Sequence, residues 1–143
     1  MSQQPSAVAV DTNIVFSALL REQSRFSEII LRSDHEFYVC ESVLVEIFRH
    51  KERILRSSRL GEADLAGLYH VLLRRLNIYK EERIAPEHWT RAHTLCCDVD
   101  ETDTPHVALT LQLGGVLWTG DRSLPEGLEA RGFTLFFTPG GST

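Results

Sequence analysis

The sequence predicts an α/β/α sandwich, three layers around a central parallel sheet. One observation is that short apolar, β-rich runs alternate with stretches of helical apolar spacing along most of the 143 residues, the pattern of strands joined by right-handed helical crossovers. The other is where four acids fall: Asp11, Glu46, Asp103 and Asp121 follow strands or open helices. Those positions share the carboxyl edge of the sheet, where open α/β folds place ligands. Like charges at close range repel, so four carboxylates gathered at one edge imply a cation among them.

Taken in order, Ala7 to Val10 reads as a strand, Asp11-Thr12-Asn13 as a turn, and the segment from Ile14 through Leu19 and Leu20 as a helix. Glu36 to Cys40 is the second strand, and Glu41 to about Ile54 a helix with Val43, Ile47 and Ile54 on its apolar side. Gly61 to Leu76 forms another amphipathic helix and Asn77 to Tyr79 a short strand. Pro86 opens a helix that runs to Cys97, since proline suits the first helical position. Thr104 and Pro105 start an apolar helix that Gly114-Gly115 stops. Val116 to Thr119 is then a buried strand with Gly120-Asp121 as its exit, and Phe133 to Thr138 a final strand.

A chain of this length buries well over half of its unfolded surface, so one domain over residues 1–143 is expected, with a core from about 7 to 139 and a short tail at 140–143. Apolar residues at 43% and charged residues at 24% are ordinary for a globular domain. No apolar run approaches the roughly 18 residues of a spanning helix, and the N-terminus lacks the basic region and apolar core of a signal peptide. A cytoplasmic protein without membrane contact is expected. Cys40, Cys96 and Cys97 lack the spacing of a metal or disulfide framework and read as reduced core thiols. His88 and His93 are five apart, which does not set two imidazoles on one helix face.

The chemistry follows from the acids. Glu46 lies five residues beyond Glu41, roughly 7.5 Å along a helix that starts at the same edge as Asp11 and Asp121. Carboxylates without histidine or cysteine partners suit Mg²⁺ or Mn²⁺ rather than Zn²⁺. A metal held there lowers the pKa of a bound water and neutralises charge on a leaving oxygen, which fits phosphodiester hydrolysis. Asn13 and Thr119 stand beside two of the acids as groups to orient water or phosphate, or alternatively as caps. An aspartyl-nucleophile phosphohydrolase is disfavoured because Asp11-Thr12-Asn13 lacks a second aspartate.

The blocks VDTNIVFSALL from Val10, SVLVEIFR from Ser42, DETDTPHVALTL from Asp100 and WTGDRSL from Trp118 resemble, in the family's order, those of PIN-domain ribonucleases. The nearest likeness is to bacterial VapC-like proteins, the toxins of toxin–antitoxin pairs. The resemblance implies a Mg²⁺- or Mn²⁺-dependent endoribonuclease whose metal ligands map onto Asp11, Asp103 and Asp121, with Glu46 acting directly or through water. Asp100 matches an additional acid, and Thr119 a polar neighbour of the metal. It further implies RNA as substrate, an antitoxin protein as partner and a homodimer as one oligomeric form. Family members alike in the last strand usually continue from a Thr-Pro pair into a C-terminal helix, whereas Thr138-Pro139 is followed here by Gly140-Gly141. His106 takes a place where an apolar residue is common in the family; it is expected on the helix surface, with an approach to the site as the lesser alternative.

The net charge of −5 does not exclude a polyanionic partner, because net charge says little about a local field. Arg49, Lys51, Arg53, Arg56 and Arg59 cluster within eleven residues that hold one acid, Glu52. Arg49, Lys51 and Arg53 are the first candidates for an RNA backbone, with Arg74 and Arg75 a weaker second pair. A PIN-like module that binds RNA or a protein partner without cleaving is the alternative reading.

Overall fold

A computed structural model describes residues 6–20, 24–120 and 123–139. Its strands are β1 (Ala7–Val10), β2 (Glu36–Cys40), β3 (Leu76–Tyr79) and β4 (Val116–Trp118). Its helices are α1 (Thr12–Leu19), α2 (Arg25–Arg32), α3 (Glu41–Arg49), α4 (Lys51–Ser57), α5 (Glu62–Arg75), α6 (Pro86–Cys96), α7 (Thr104–Leu113) and α8 (Ser123–Glu129). The strands pair in parallel in the order β3-β2-β1-β4, which is the α/β/α arrangement expected from the sequence. The tail at 140–143 and the candidate ligand Asp121 lie outside the described residues.

This order decides the layers. The chain steps from β1 to β2 to β3 in one direction, then returns past both to reach β4 on the far side of β1. With right-handed crossovers, reversing direction moves the connection to the opposite face. The helices α6 and α7 of the return accordingly pack against each other, with α7 on β1 and β2, while α1, α2 and α5 pack together. Covered on both faces, β1 buries Val8, Ala9 and Val10 completely, as central parallel strands do. At the edge, β3 leaves Asn77 and Ile78 exposed.

Local chemistry explains most boundaries. Ser24 caps α2 by accepting from the Ser27 N–H at 3.0 Å, an element the hydrophobic spacing did not single out. The expected helix from Glu41 to Ile54 is two helices, broken at His50, whose backbone leaves helical geometry at φ −106° and ψ 18°. α7 begins at Thr104 and ends as expected: Gly114 takes the left-handed conformation at φ 61°, and the Gly115 N–H reaches back to the Thr110 carbonyl at 3.2 Å. That is the double-bonded C-terminal cap that glycine permits.

The expected last strand is reduced to one parallel bridge, Leu117 with Phe136. The Leu117 N–H and carbonyl bond Leu135 and Phe137 at 2.8 Å each, but the Phe136 N–H turns back to the Thr134 carbonyl at 3.0 Å. The segment still contributes Phe137, which meets Trp118 edge-on at 5.3 Å and Phe37 at 6.2 Å. Burying rings of this size contributes roughly 1.5–3 kcal/mol each. Cys40 and Cys96 are buried thiols as expected, whereas Cys97 is exposed at the end of α6, its side chain turned off the apolar side that carries Ala92, Leu95 and Cys96. No described helix is long and apolar enough to cross a membrane.

Gly115 is where α7 meets β1. A Cβ there would stand 2.0 Å from the Ala7 carbonyl oxygen, a contact with backbone that no rotamer relieves. Gly115→Ala is therefore expected to lower stability by about 3 kcal/mol, read as a shift in thermal or urea midpoint. An unchanged midpoint would show that the β1 edge can yield.

Candidate functional site

Asp11 stands at the point where β1 becomes α1. Its Oδ1 accepts the Ile14 N–H at 3.1 Å as the helix cap, and its own N–H donates to the Trp118 carbonyl at 3.1 Å. The second bond ties the end of β1 to the end of β4, on either side of the place where the connectivity reverses. Crevices at such switch points are where open α/β sheets bind ligands. Asp11 is only 3% exposed. Burying a carboxylate costs several kcal/mol, while a cap returns about 1 kcal/mol and the helix dipole about as little. Among the described residues no ion pair offsets the remainder.

The second acidic element precedes α7. Asp100 caps a 3₁₀ turn over Glu101–Asp103, accepting the Thr102 N–H at 3.0 Å and its hydroxyl at 2.6 Å. These bonds from Thr102, with a further one from Asp103, hold the Asp100 carboxyl below the ordinary range. Asp103 is half-buried at the N-terminus of α7, and its charge helps to raise the Cys96 thiol to about 11, after burial as the larger cause. Thr119 follows β4 and is half-buried, while Gly120 lies 3.7 Å from Ile14 when given a Cβ. The exit of β4 thus runs alongside the first turn of α1. Asn13 is exposed in that turn.

Glu46 has a different setting. Its carboxylate pairs with Arg49 at 3.2 Å and faces His50 at 3.5 Å, and His50 in turn packs edge-on against Phe16 of α1 at 6.0 Å. Among the described residues, no three His, Cys, Asp or Glu side chains converge as a metal-holding group. Asp11 and Asp103 stand at the same sheet edge, and Glu46 is engaged with its own helix neighbours.

Two residues near Asp11 were not expected there. His106 is buried, 6% exposed, rather than on the helix surface, because α7 runs between α6 and the sheet and residues 106–110 are all enclosed. A signal existed: His106, Leu109, Thr110 and Leu113 share one helical stripe. Burial holds the His106 pKa below its ordinary value, while the charges of Asp11 and Glu81 oppose that shift. Its Nδ1 is enclosed without a hydrogen-bond partner. Glu81 reaches the site from the turn after β3. Its Oε2 accepts the Ser42 N–H at 3.3 Å, capping α3, while its own N–H donates to Glu41 at 3.2 Å. Burial first, then Glu81 and Glu41, push the Cys40 thiol up to about 12, so it stays protonated and donates to the Pro105 carbonyl at 3.4 Å.

The cations sort differently from expectation. Arg75 is structural: Nε donates to the Ile30 carbonyl at 3.0 Å and a terminal nitrogen to the Ser33 carbonyl at 2.6 Å. Arg49 is committed to Glu46. Lys51 and Arg53 are exposed on α4, with the Lys51 ammonium 5.0 Å from the centre of the exposed Phe48 ring. These two remain able to meet an external anion.

A parallel sheet with a carboxylate buried at its switch point, without an ion pair among the described residues, and a second acid opening the returning helix defines an acid-site α/β domain. A model of the PIN domain family matches residues 9–134, and the chain belongs to that family. PIN domains are generally nucleases that use divalent metals. No curated protein matches the sequence. Among the described residues Asp11 has no ion pair, and the buried His106 Nδ1 has no hydrogen-bond partner.

With its folded pKa below the ordinary 6.5, His106 binds fewer protons folded than unfolded, so its contribution is complete above pH 6.5 and is lost as acid drives protonation. The protein should lose stability in urea titrations as the pH falls below about 6.5, and His106→Phe should flatten that dependence. Parallel pH profiles of the two proteins would refute the assignment.

Proposed function

We infer that this protein is a metal-dependent endoribonuclease, the toxin of a toxin–antitoxin pair. The observation that carries this reading is Asp11: a PIN-family carboxylate, buried at the switch point and without an ion pair among the described residues. In this reading Asp11, Asp103 and Asp121 hold Mg²⁺ or Mn²⁺, with Glu46 directly or through water, and the ion supplies an acidified water and a sink for charge on the leaving oxygen. Asn13 and Thr119 orient water or phosphate. Asp100, fastened to Thr102, holds the turn that carries Asp103. Lys51 and Arg53, with Arg49 once released from Glu46, draw the RNA backbone along α4 toward the acids. An antitoxin and a second copy of the chain are the protein partners.

The pairing of Glu46 with Arg49 favours a second reading, a PIN module that binds RNA without cleaving it. The two separate cleanly. Asp11→Asn keeps a capping oxygen, since asparagine caps about as well as aspartate, and removes only the charge. RNA cleavage is expected to fall at least about a hundredfold in Asp11→Asn and in Asp103→Asn, with circular dichroism and melting little changed. Full cleavage in both would overturn the nuclease site as assigned, and no cleavage in the parent protein with RNA binding retained would favour the second reading.

The α4 cations give an independent check. Lys51→Ala and Arg53→Ala should each lessen the slope of log affinity against log salt for single-stranded RNA by about 0.7, while Arg75→Ala should leave the slope unchanged and lower stability instead. Equal slopes in all three variants would place the RNA path elsewhere.

A further inference from the structure

We propose that Phe48 is a stacking platform for a nucleobase, so that the face formed by α3 and α4 binds single-stranded RNA by its bases as well as by its phosphates. This rests on the reading of RNA as the ligand and adds to it a residue outside the motif acids and the basic run.

The argument begins with exposure. Among the described residues the exposed large apolar side chains are Val45, Phe48, Val71, Ile78 and Leu135, and of these only Phe48 carries a ring, which is 72% exposed. A single exposed apolar side chain is ordinary; the neighbours of Phe48 set it apart. The Lys51 ammonium stands 5.0 Å from the centre of the ring, and Arg49 and Arg53, both exposed, lie on either side in the chain. Phe48 and Lys51 also border one cavity of about 260 Å³, whose buried lining residues Ile47, Ile54 and Leu65 are apolar and whose one acid is Glu62.

An exposed ring beside an ammonium matches the two halves of a nucleotide. The base stacks its flat face on an aromatic ring whatever the sequence, and the cation attracts the phosphate. Lysine is a point charge on a flexible stem, so Lys51 passes from the ring to a phosphate without disturbing α4. The same geometry selects among polyanions. Duplex bases are already paired and stacked, whereas an unstacked base is free to lie on the ring beside the apolar cavity. Stacking does not use the 2′-hydroxyl, so single-stranded DNA meets Phe48 as RNA does.

The test is fluorescence anisotropy of a short labelled RNA of mixed sequence, titrated with the full chain in EDTA so that no strand is cut. Phe48→Ala should weaken binding of the single strand roughly fivefold to a hundredfold, with the slope of log affinity against log salt unchanged and duplex binding unchanged. Phe48→Trp should restore the affinity, and single-stranded DNA should show the same loss in Phe48→Ala. Equal single-strand affinity in Phe48→Ala and the parent protein overturns the proposal and leaves the nuclease reading standing if RNA is still cleaved. Equal weakening for single strand and duplex, or no recovery in Phe48→Trp, overturns it as well. If the ring instead seats a second copy of the chain, sedimentation velocity shows self-association that Phe48→Ala abolishes while RNA affinity holds, which also overturns it. Binding that depends on Phe48 without cleavage in Mg²⁺ or Mn²⁺ supports the platform and sinks the nuclease reading. No RNA binding by the parent protein, in EDTA or in Ca²⁺, overturns both.

Discussion

The bond from the Asp11 N–H to the Trp118 carbonyl is the constraint on which the arrangement depends. It joins the residue that follows β1 to the last residue of β4, and those strands meet only because the connection from β3 crosses back over the sheet. The same residue begins α1 through its side chain. One aspartate therefore sets the sheet edge, the start of a helix and the floor of the crevice. Its backbone donor is used within the sheet, and its buried carboxylate caps α1 through the Ile14 N–H.

That arrangement explains how an acidic protein can serve a polyanionic ligand. The net charge of −5 is an average over the whole chain, whereas the exposed cations of α4 stand on the helix directly after the one carrying Glu46. The charges are also not equivalent once folded. Arg75 holds the carbonyls at the end of α2, and Arg49 is matched to Glu46. Surface pairs of this kind contribute about 0–1 kcal/mol, so an incoming phosphate can displace Arg49 at little cost.

Much was legible in the residues themselves. The alternation of runs such as AVAV, EFYVC and VLW with helical spacing yields the parallel sheet, and Thr104-Pro105 with Gly114-Gly115 bound α7. These signals are local, set by dihedral preference and by which atoms a side chain can reach. Elements whose bounds depend on partners were less legible. The single bridge between Leu117 and Phe136 depends on a strand far back along the chain, and the break at His50 on a backbone turn that apolar spacing does not report. α2 and α8 are short helices, of eight and seven residues, that apolar spacing did not single out.

The sequence by itself determined the fold class, the order of the elements and the motif acids, because apolar periodicity and the chemistry of turns act over a few residues. Only the tertiary structure decided which of those acids is enclosed, that Glu46 is matched to Arg49, that Arg75 is structural and that His106 shares the interior with Asp11. The reason is that burial and electrostatic pairing are properties of surroundings. They depend on which strand β4 pairs with and which helices cover α7, contacts between residues far apart along the chain.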